Sequence, residues 1–211
     1  NILRVTPVEK NWGPDYLRFG INLDTNFSED SSYTLRAAYD RTWLNTLGGQ
    51  VLVGAEIGRK NMFGVDYYQP LEESQRYFME ASMSYGKERF SAYQNGRKQA
   101  EYNKTLGSAS VGVGMNVGLL GQLRVGYKQN WVESSLETGV ATGSIPQGAK
   151  ESYGGQYAGI DFDQMDRLYF PTSGWASRLG YFNAPGEGYS KVNAELRGAY
   201  SFNDYVLSSK L

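Results

Sequence analysis

The stretch Tyr77-Phe-Met-Glu-Ala-Ser-Met-Ser-Tyr85 carries the clearest structural signal in this chain. Its odd-numbered positions are apolar or aromatic, whereas Glu80, Ser82 and Ser84 stand between them. An alternation with a period of two is typical of a β-strand, because successive side chains of a strand point to opposite faces. The stretch therefore predicts a strand with one apolar and one polar face.

The same alternation recurs along most of the sequence and organises the chain. Strands are predicted over residues 17–24, 33–40, 51–57, 77–85, 109–117, 122–128, 158–163, 175–181 and 191–197. The uncharged stretch from Thr105 to Leu123 is not a membrane helix, because its apolar residues alternate as well. No segment keeps a period of 3.6 residues, so helix is expected to be scarce.

Turn signals separate these strands at regular intervals. The predicted turns are residues 26–32, 45–49, 58–61, 71–74, 95–96, 118–121, 138–150, 170–174, 183–188 and 201–204. Asn95-Gly96 is the most specific of them, since a type I′ hairpin turn needs positive φ at both central residues. Ten turns predict ten strands and the start of an eleventh at Tyr205, in one antiparallel up-and-down meander without a second domain.

The composition removes several classes of function. The 211 residues contain no His and no Cys, which excludes a His-containing triad, a His/Cys zinc site, a thiolate nucleophile and a disulfide framework. A formal charge of −1 gives no bulk attraction to nucleic acid. A mean hydropathy of −0.51 excludes a bundle of membrane helices, but not a membrane β-barrel, in which polar and apolar residues alternate.

Alternation alone fits two architectures. A soluble sandwich or lipocalin-like barrel buries its apolar face, whereas a membrane barrel turns that face to lipid and keeps the polar face in its lumen. Strands of roughly 9–13 residues, with aromatic residues concentrated toward their ends, favour the membrane barrel. The polar residues then predicted to face the lumen are Arg18, Arg36, Glu56, Glu80, Arg124, Asp161, Asp163, Arg178, Glu195 and Arg197.

Turn length gives an orientation. The second, fourth, sixth, eighth and tenth predicted turns are short, whereas the odd-numbered ones include the longest, residues 138–150, and the charged hairpin tip at Asn95-Gly96. Short turns of outer-membrane barrels lie on the periplasmic side. This orientation also places Asn1 in the periplasm.

A segment at the end of the eighth predicted strand resembles the BamA-type outer-membrane barrels, also called the bacterial surface-antigen superfamily. In that family a strand ends in Asp-Arg, and aromatic-Pro-Thr-x-Gly then forms the periplasmic turn into the next strand. The matching residues here are Asp166, Arg167, Phe170, Pro171, Thr172 and Gly174. The opening from Val8 to Gly20 is similar, more particularly, to the barrel of patatin-like phospholipases that carry their own transporter domain, the type Vd autotransporters.

The resemblance implies a transmembrane barrel of sixteen strands, of which this chain holds about the first ten. The family's Arg-Gly pair on an inward-folded loop does not occur before Leu211, and the chain ends on Ser-Ser-Lys-Leu instead of an aromatic residue. An open ten-stranded sheet would leave two unpaired edges in lipid. We therefore expect a fragment, with residues 1–15 as a periplasmic lead-in and residues 16–211 as a partial transmembrane β-barrel domain.

No residue of the chain is expected to be catalytic or to bind a cofactor or metal. The nucleophile elbow Gly-x-Ser-x-Gly is absent. Asp161, Asp163 and Asp166 are expected to pair with lumenal arginines, since Ca²⁺ requires more oxygen ligands than they supply. The turn from Phe170 to Gly174 is expected to be structural. The charged hairpin around Asn95-Gly96 is expected to stand in solvent, with lipopolysaccharide phosphates as its alternative ligand.

The resemblance implies a non-catalytic barrel, in the outer membrane of a Gram-negative bacterium, that anchors and helps export or display a passenger domain such as a patatin-like lipase. Lipid hydrolysis by the parent protein would then use a Ser–Asp dyad upstream of Asn1. The alternatives are a BamA- or TamA-like insertase for outer-membrane proteins, and a passive pore or soluble ligand-binding barrel. The expected partners are outer-membrane lipid and lipopolysaccharide, the protein's own upstream passenger and periplasmic domain, and the outer-membrane assembly machinery. Nucleic acid is not expected, and the oligomeric state stays open.

Overall fold

The computed structural model describes residues 15–25, 31–58, 60–94, 97–139, 148–167, 170–203 and 205–211. These residues form eleven β-strands and one 3-10 helical turn, Pro185–Glu187. The strands are β1 (Asp15–Thr25), β2 (Ser31–Arg41), β3 (Gln50–Gly58), β4 (Lys60–Pro70), β5 (Tyr77–Gln94), β6 (Arg97–Val117), β7 (Gly121–Gly139), β8 (Ala149–Asp163), β9 (Gly174–Ala184), β10 (Tyr189–Phe202) and β11 (Tyr205–Lys210). Among the described residues, no helix is long and apolar enough to cross a membrane.

All eleven strands belong to one sheet, in which each strand pairs with the next from β1 to β11. Every pairing is antiparallel, which confirms the predicted all-β, up-and-down architecture of a partial barrel. The eleventh strand, predicted only as a start at Tyr205, is formed as β11. Residues 1–14 and the Asn95-Gly96 turn lie outside the described residues, so the lead-in and the type I′ turn stay predictions.

Five of the described strands exceed the predicted length of roughly 9–13 residues: β8 has 15 residues, β10 has 14, and the excess is largest in the three central strands. β5, β6 and β7 contain 18, 21 and 19 residues, so the predicted length range is wrong for this part of the sheet. Pairing continues past Tyr85 because the next side chains pack against each other. The rings of Phe90 and Tyr102 stack with their centroids 5.3 Å apart, and Tyr102 is fully buried. The three strands therefore extend beyond Tyr85 as an arm of the sheet.

In the arm the two faces no longer divide into a polar and an apolar one. Below Tyr85, the face of β5 that carries Glu80 is polar, whereas above it the same face carries Phe90. On the opposite face of the arm, Arg89 forms a 3.5 Å ion pair with Glu137. The apolar band of the sheet thus ends at the level of Tyr85 on β5.

The rest of the sheet is a single layer. The largest fully buried side chains among the described residues are Tyr102, Phe78 and Pro70. Along one face, large apolar side chains remain exposed, for example Phe19 at 75% and Val111 at 62%. No described segment covers that face, and a contiguous apolar surface of this extent marks a protein or membrane contact.

Candidate functional site

The strand register places the ten residues predicted to face the lumen on one face of the sheet. Residues paired across neighbouring strands share a face, as Arg36 does with Glu56 and Arg178 with Glu195. Because side chains alternate between the two faces along each strand, the register and the alternation together assign this face on every strand from β1 to β11. It holds Arg18, Arg36, Glu56, Glu80, Arg124, Asp161, Asp163, Arg178, Glu195 and Arg197. We call it the polar face and the opposite one the apolar face.

On the first three strands, arginines of the polar face meet carboxylates of the neighbouring strand. Arg18 Nη2 lies 3.0 Å from Asp40 Oδ2, and Arg36 Nε lies 2.8 Å from Glu56 Oε2. Asp40 is buried and accepts a second hydrogen bond of 2.7 Å from Gln50 Nε2. Sequence reasoning placed Asp40 on the polar side of its strand but did not single it out as a site residue.

On β8 to β10 the same pattern of opposite charges recurs. Arg178 Nε donates a 3.1 Å hydrogen bond to Asp161 Oδ2. Arg197 lies between two carboxylates, 3.8 Å from Asp163 and 3.3 Å from Glu195. Because these side chains are about a third or more exposed, each pair contributes only about 0–1 kcal/mol to stability. The pairs therefore organise a hydrated, charge-balanced surface more than they hold the fold together.

One row of the polar face joins four strands. Pairing aligns Tyr157 on β8 with Gly126, Gly112 and Glu80 on β7, β6 and β5. The Tyr157 hydroxyl donates to Glu80 Oε1 at 2.8 Å, and Arg124 Nη1 lies 3.7 Å from the other oxygen of that carboxylate. A Cβ on Gly112 would lie 2.2 Å from the tyrosine hydroxyl, so the row depends on glycine. Sequence reasoning missed Tyr157 and the glycines, because neither residue type carries a charge that marks a polar face.

In the described part of the chain, no group of three or more acidic side chains is placed to hold a metal ion. Asp161 and Asp163 face arginines instead, which neutralise them. The arrangement is suited to lining water.

The apolar face is bounded by two rows of aromatic side chains. An upper row consists of Tyr33, Tyr85 and Tyr181, and a lower row consists of Tyr39, Tyr77 and Trp175. Between the rows the face carries aliphatic side chains, of which Met83 is 64% exposed. Aromatic girdles that flank an apolar band are typical of the two interfaces of a membrane β-barrel.

The two aromatic rows run parallel to each other and obliquely to the strands. The register gives, on each strand, the position that is level with a chosen residue of another strand. On β5, Tyr85 lies about four residues below the position level with Tyr33 of β2, and on β9, Tyr181 lies about six residues below the position level with Tyr85. In the lower row, the same comparison gives about six residues from Tyr39 to Tyr77 and about four residues from Tyr77 to Trp175, in the same direction. The rows therefore move by about ten residues, each ~3.3 Å along the strand, over about seven strand spacings of ~4.8 Å. Because these two lengths are nearly equal, the strands are tilted by about 45° from the direction that leads straight across the apolar band from one aromatic row to the other. That value agrees with the tilt of membrane-spanning strands.

Asp166 organises the connection between β8 and β9. Its carboxylate accepts hydrogen bonds from the Thr172 hydroxyl at 2.6 Å and from the backbone N–H groups of Thr172 and Ser173 at 2.9 and 3.1 Å. These bonds, that of the Thr172 side chain foremost, lower the pKa of Asp166 to about 2. Arg167 is largely exposed and lies 3.8 Å from the same carboxylate. Asp166 is thus satisfied within its own turn and not by an arginine of the polar face, contrary to expectation.

Two described residues at the same connection have positive φ. Gly174 has a φ of 113°, and a Cβ there would lie 2.1 Å from the backbone oxygen of Gln164. Phe170 has a φ of 52°, an unfavourable conformation for a residue with a side chain, which costs of order 1–3 kcal/mol. Asp166, Thr172 and Gly174 therefore shape the described part of the turn.

Hydrogen bonds join the short connections into a rim. Gln164 Nε2 donates to the backbone oxygen of Leu119 at 2.7 Å, which links the β8–β9 and β6–β7 connections. Ser201 Oγ, near the end of β10, donates to the backbone oxygen of Thr172 at 2.6 Å. A similar bond links the β2–β3 and β4–β5 connections. Sequence reasoning did not find these contacts, because they join residues that are far apart in the chain.

Comparisons with known proteins agree with this geometry. The sequence matches the Omp85 superfamily domain over residues 44–211. Among solved structures, the fold is similar to BamA from Haemophilus ducreyi lacking POTRA domains 1-3, with a TM-score of 0.66 and 14% identity. The alignment covers 93% of this chain and 40% of that one, so the chain spans about two fifths of the BamA chain. A search of curated proteins gave no match.

At 14% identity, the likeness to BamA shows the fold alone. The domain match is the finding that shows the family, since it covers well over half of the chain and extends from the β2–β3 connection to β11. The chain therefore belongs to the Omp85 superfamily of β-barrels in the Gram-negative outer membrane.

Proposed function

We propose that this chain is part of the wall of an outer-membrane barrel that anchors a passenger domain and helps export or display it, without being catalytic itself. The observation that carries the proposal is the division of one sheet into two faces. The apolar face is exposed between two aromatic rows, whereas the polar face bears paired charges. In a closed barrel the first face contacts lipid and the second lines a water-filled lumen.

A non-catalytic role fits the chemistry of the polar face. Most of its acidic side chains are engaged by arginines, as Glu56 is by Arg36 and Asp161 by Arg178. The sequence supplies neither His nor Cys to act as a base or nucleophile. A wall of this kind supports passage or anchoring, and any hydrolysis by the parent protein would belong to a domain outside these residues.

The proposed orientation places the short connections and the start of β1 in the periplasm. β1 begins at Asp15, which pairs with Arg41 beside the short β2–β3 connection. The arm built from β5, β6 and β7 leaves the apolar band at the opposite end. Short periplasmic turns and longer extracellular extensions are the rule for outer-membrane barrels.

The proposal also names the kind of passenger domain that the barrel carries. The similarity of residues 8–20 to type Vd autotransporters supports a patatin-like lipase, carried by a periplasmic domain of the same protein. Its partners would include outer-membrane lipid, lipopolysaccharide and the assembly machinery. A second candidate is an insertase of BamA or TamA type, with which membership of the Omp85 superfamily is equally consistent.

Single cysteines test the proposed placement of the faces, because residues 1–211 contain none. Ser110→Cys lies on the polar face of β6, and Val111→Cys is its neighbour on the apolar face. In cells, a polar, membrane-impermeant thiol reagent should label the first variant through the lumen and leave the second unlabelled until detergent is added. Labelling of Val111→Cys in intact membranes, as fast as that of Ser110→Cys, would contradict a lipid-facing apolar face.

A depletion experiment separates the two functions. Loss of an autotransporter should remove its own passenger from the cell surface, as measured by protease accessibility, while other outer-membrane proteins keep their levels. Loss of an insertase should lower many outer-membrane proteins together. Loss of the passenger alone supports the proposed role in anchoring and export. A joint loss of many outer-membrane proteins would contradict that role and support an insertase.

A further inference from the structure

The apolar face contains a groove that crosses the strands from β5 to β10 and encloses about 710 Å³. One wall includes Tyr77, Leu123 and Leu179, and the other includes Val113, Ala158 and Tyr181. The side chains that line it on this face are almost all apolar. Its volume lies within the range of roughly 300–1,000 Å³ that is usual for small-molecule sites.

The groove connects the two interfaces of the apolar band. It starts at Tyr77 of the lower aromatic row and ends beside Tyr181 of the upper row. Five strand spacings of ~4.8 Å give it a length of about 24 Å. The groove runs across the strands, which are tilted by about 45°. It therefore makes a similar angle with the two aromatic rows. A long, narrow and apolar groove of this kind fits a single extended hydrocarbon chain.

A cation stands at the lower end of the groove. The guanidinium carbon of Arg76 lies 5.5 Å from the centroid of the Tyr77 ring, within the range of a cation–π contact. Arg76 is exposed and forms no ion pair within the described residues, whereas the arginines of the polar face are paired with carboxylates. The acidic residues of the same connection, Glu72 and Glu73, do not lie within ion-pair distance of it.

From these features we propose that the groove and Arg76 form a binding site for a glycerophospholipid. The guanidinium of Arg76 would donate hydrogen bonds to the phosphate, and one acyl chain would lie in the groove. The site rests on the proposed membrane placement, since it requires the apolar face to contact lipid. The short connections, and Arg76 with them, lie on the periplasmic side in that placement, so the ligand comes from the inner leaflet.

Charge complementarity distinguishes this site from the general lipid contact of the apolar face. The contact with the Tyr77 ring favours conformations in which the Arg76 guanidinium lies beside a residue that lines the groove, so less rotamer entropy is lost when a phosphate binds there. At the upper end, the groove finishes at Tyr181 and Val192, and no cation lines it there. A lipid is therefore expected to bind in one direction, with its head group at Arg76.

Native mass spectrometry of the full-length protein, purified in detergent and incubated with phosphatidylglycerol, tests the proposal. Arg76→Gln removes the cation, and Ala158→Trp fills the groove with a bulky side chain. Each change should lower the retained phosphatidylglycerol at least about tenfold. The matched controls, which should retain lipid as the natural protein does, are Arg41→Gln, a cation at the same end of the sheet, and Ala37→Trp, an apolar-face position on β2.

Several results would overturn the site. Equal retention by all variants would mean that only the general lipid contact binds phosphatidylglycerol. Retention of lipopolysaccharide in preference to phosphatidylglycerol, or a dimer that Ala158→Trp abolishes, would assign the groove to another occupant. Outer-membrane fractionation of each variant distinguishes a failure of the proposed lipid site from a failure of the proposed membrane placement. A protein that is embedded in the membrane but shows no Arg76-dependent retention contradicts the lipid site alone.

Discussion

The hydroxyl of Tyr157 on β8 donates a 2.8 Å hydrogen bond to the carboxylate of Glu80 on β5. The two residues belong to one row of paired positions, and the intervening strands contribute only Gly126 and Gly112 to that row. The tyrosine ring therefore lies across two strands that offer no side chain to obstruct it. This contact ties four neighbouring strands together on the polar face, where most ion pairs join only adjacent strands.

Gly112→Ala is expected to destabilise the sheet through this row. A Cβ at that position would lie 2.2 Å from the Tyr157 hydroxyl and 2.9 Å from the backbone oxygen of Val125, so the ring and its bond to Glu80 must shift. Overpacking of this kind costs about 1–3 kcal/mol. The temperature at which the folded form disappears in a heat-modifiability gel should fall by several degrees relative to the natural protein.

Gly54→Ala is the matched control for that prediction. Gly54 also lies on the polar face, but a Cβ there would meet nothing within 4 Å. The control should unfold at the same temperature as the natural protein. If the two alanine variants unfold together, the row that contains Tyr157 and Gly112 does not contribute to the stability of the sheet.

The β8–β9 connection is expected to loosen at acid pH. The pKa of Asp166 is lowered to about 2 in the folded chain, mainly by the hydrogen bond from the Thr172 side chain. A carboxyl with a depressed folded pKa stabilises the folded turn at pH values above its unfolded pKa of about 3.9, and this stabilisation is lost as the pH falls toward 2. Amide hydrogen exchange at Thr172 and Ser173, corrected for intrinsic rates, should therefore show protection at pH 5 that declines between pH 4 and pH 2.

Asp166→Asn separates this effect from general acid unfolding. The asparagine keeps one acceptor but does not titrate, so protection of the turn should be weaker at pH 5 and should change little down to pH 2. Protection of the sheet in β8 serves as the internal reference for both proteins. A parallel decline in the two proteins would remove Asp166 as the titrating group.

The ion pair between Arg178 and Asp161 is expected to be weak. Their side chains are 60% and 35% exposed, so water competes with the 3.1 Å contact. A double-mutant cycle with Arg178→Ala and Asp161→Ala should give a coupling free energy of about 0.2–1 kcal/mol that falls further in high salt. A coupling of several kcal/mol would indicate a dry environment and would argue against a water-filled lumen on this face.

Much of this architecture could be predicted from the sequence because a period of two is a local signal. The alternation from Tyr77 to Tyr85 is sufficient to place Glu80 and Met83 on opposite faces, and the register confirms that placement. The lengths of β5, β6 and β7 could not be predicted, since their extension involves contacts between neighbouring strands, such as the stacking of Phe90 on β5 against Tyr102 on β6.

The candidate site was predictable only in part. Charged residues such as Arg36 mark the polar face by themselves, but their partners are fixed by the register of another strand. The Tyr157 row and the bond from Gln164 to Leu119 are long-range contacts without a sequence motif. The positive φ of Phe170 could not be foreseen either, because the turn imposes it on a residue that does not favour it.

A charge on the apolar face is expected to be far more harmful than the same charge on the polar face. Ala81 lies on the apolar face of β5, midway between Tyr77 and Tyr85, and Ser82 is its neighbour on the polar face. Arginine on the lipid face near the middle of the bilayer costs about 2–4 kcal/mol, whereas arginine in an aqueous lumen carries no such penalty. Ala81→Arg should therefore reduce the folded, membrane-inserted fraction strongly. Ser82→Arg should lose only the 2.7 Å hydrogen bond to Ser110, about 1 kcal/mol. Outer-membrane fractionation with heat-modifiability measures both variants, and equal losses would contradict the assignment of the two faces to lipid and lumen.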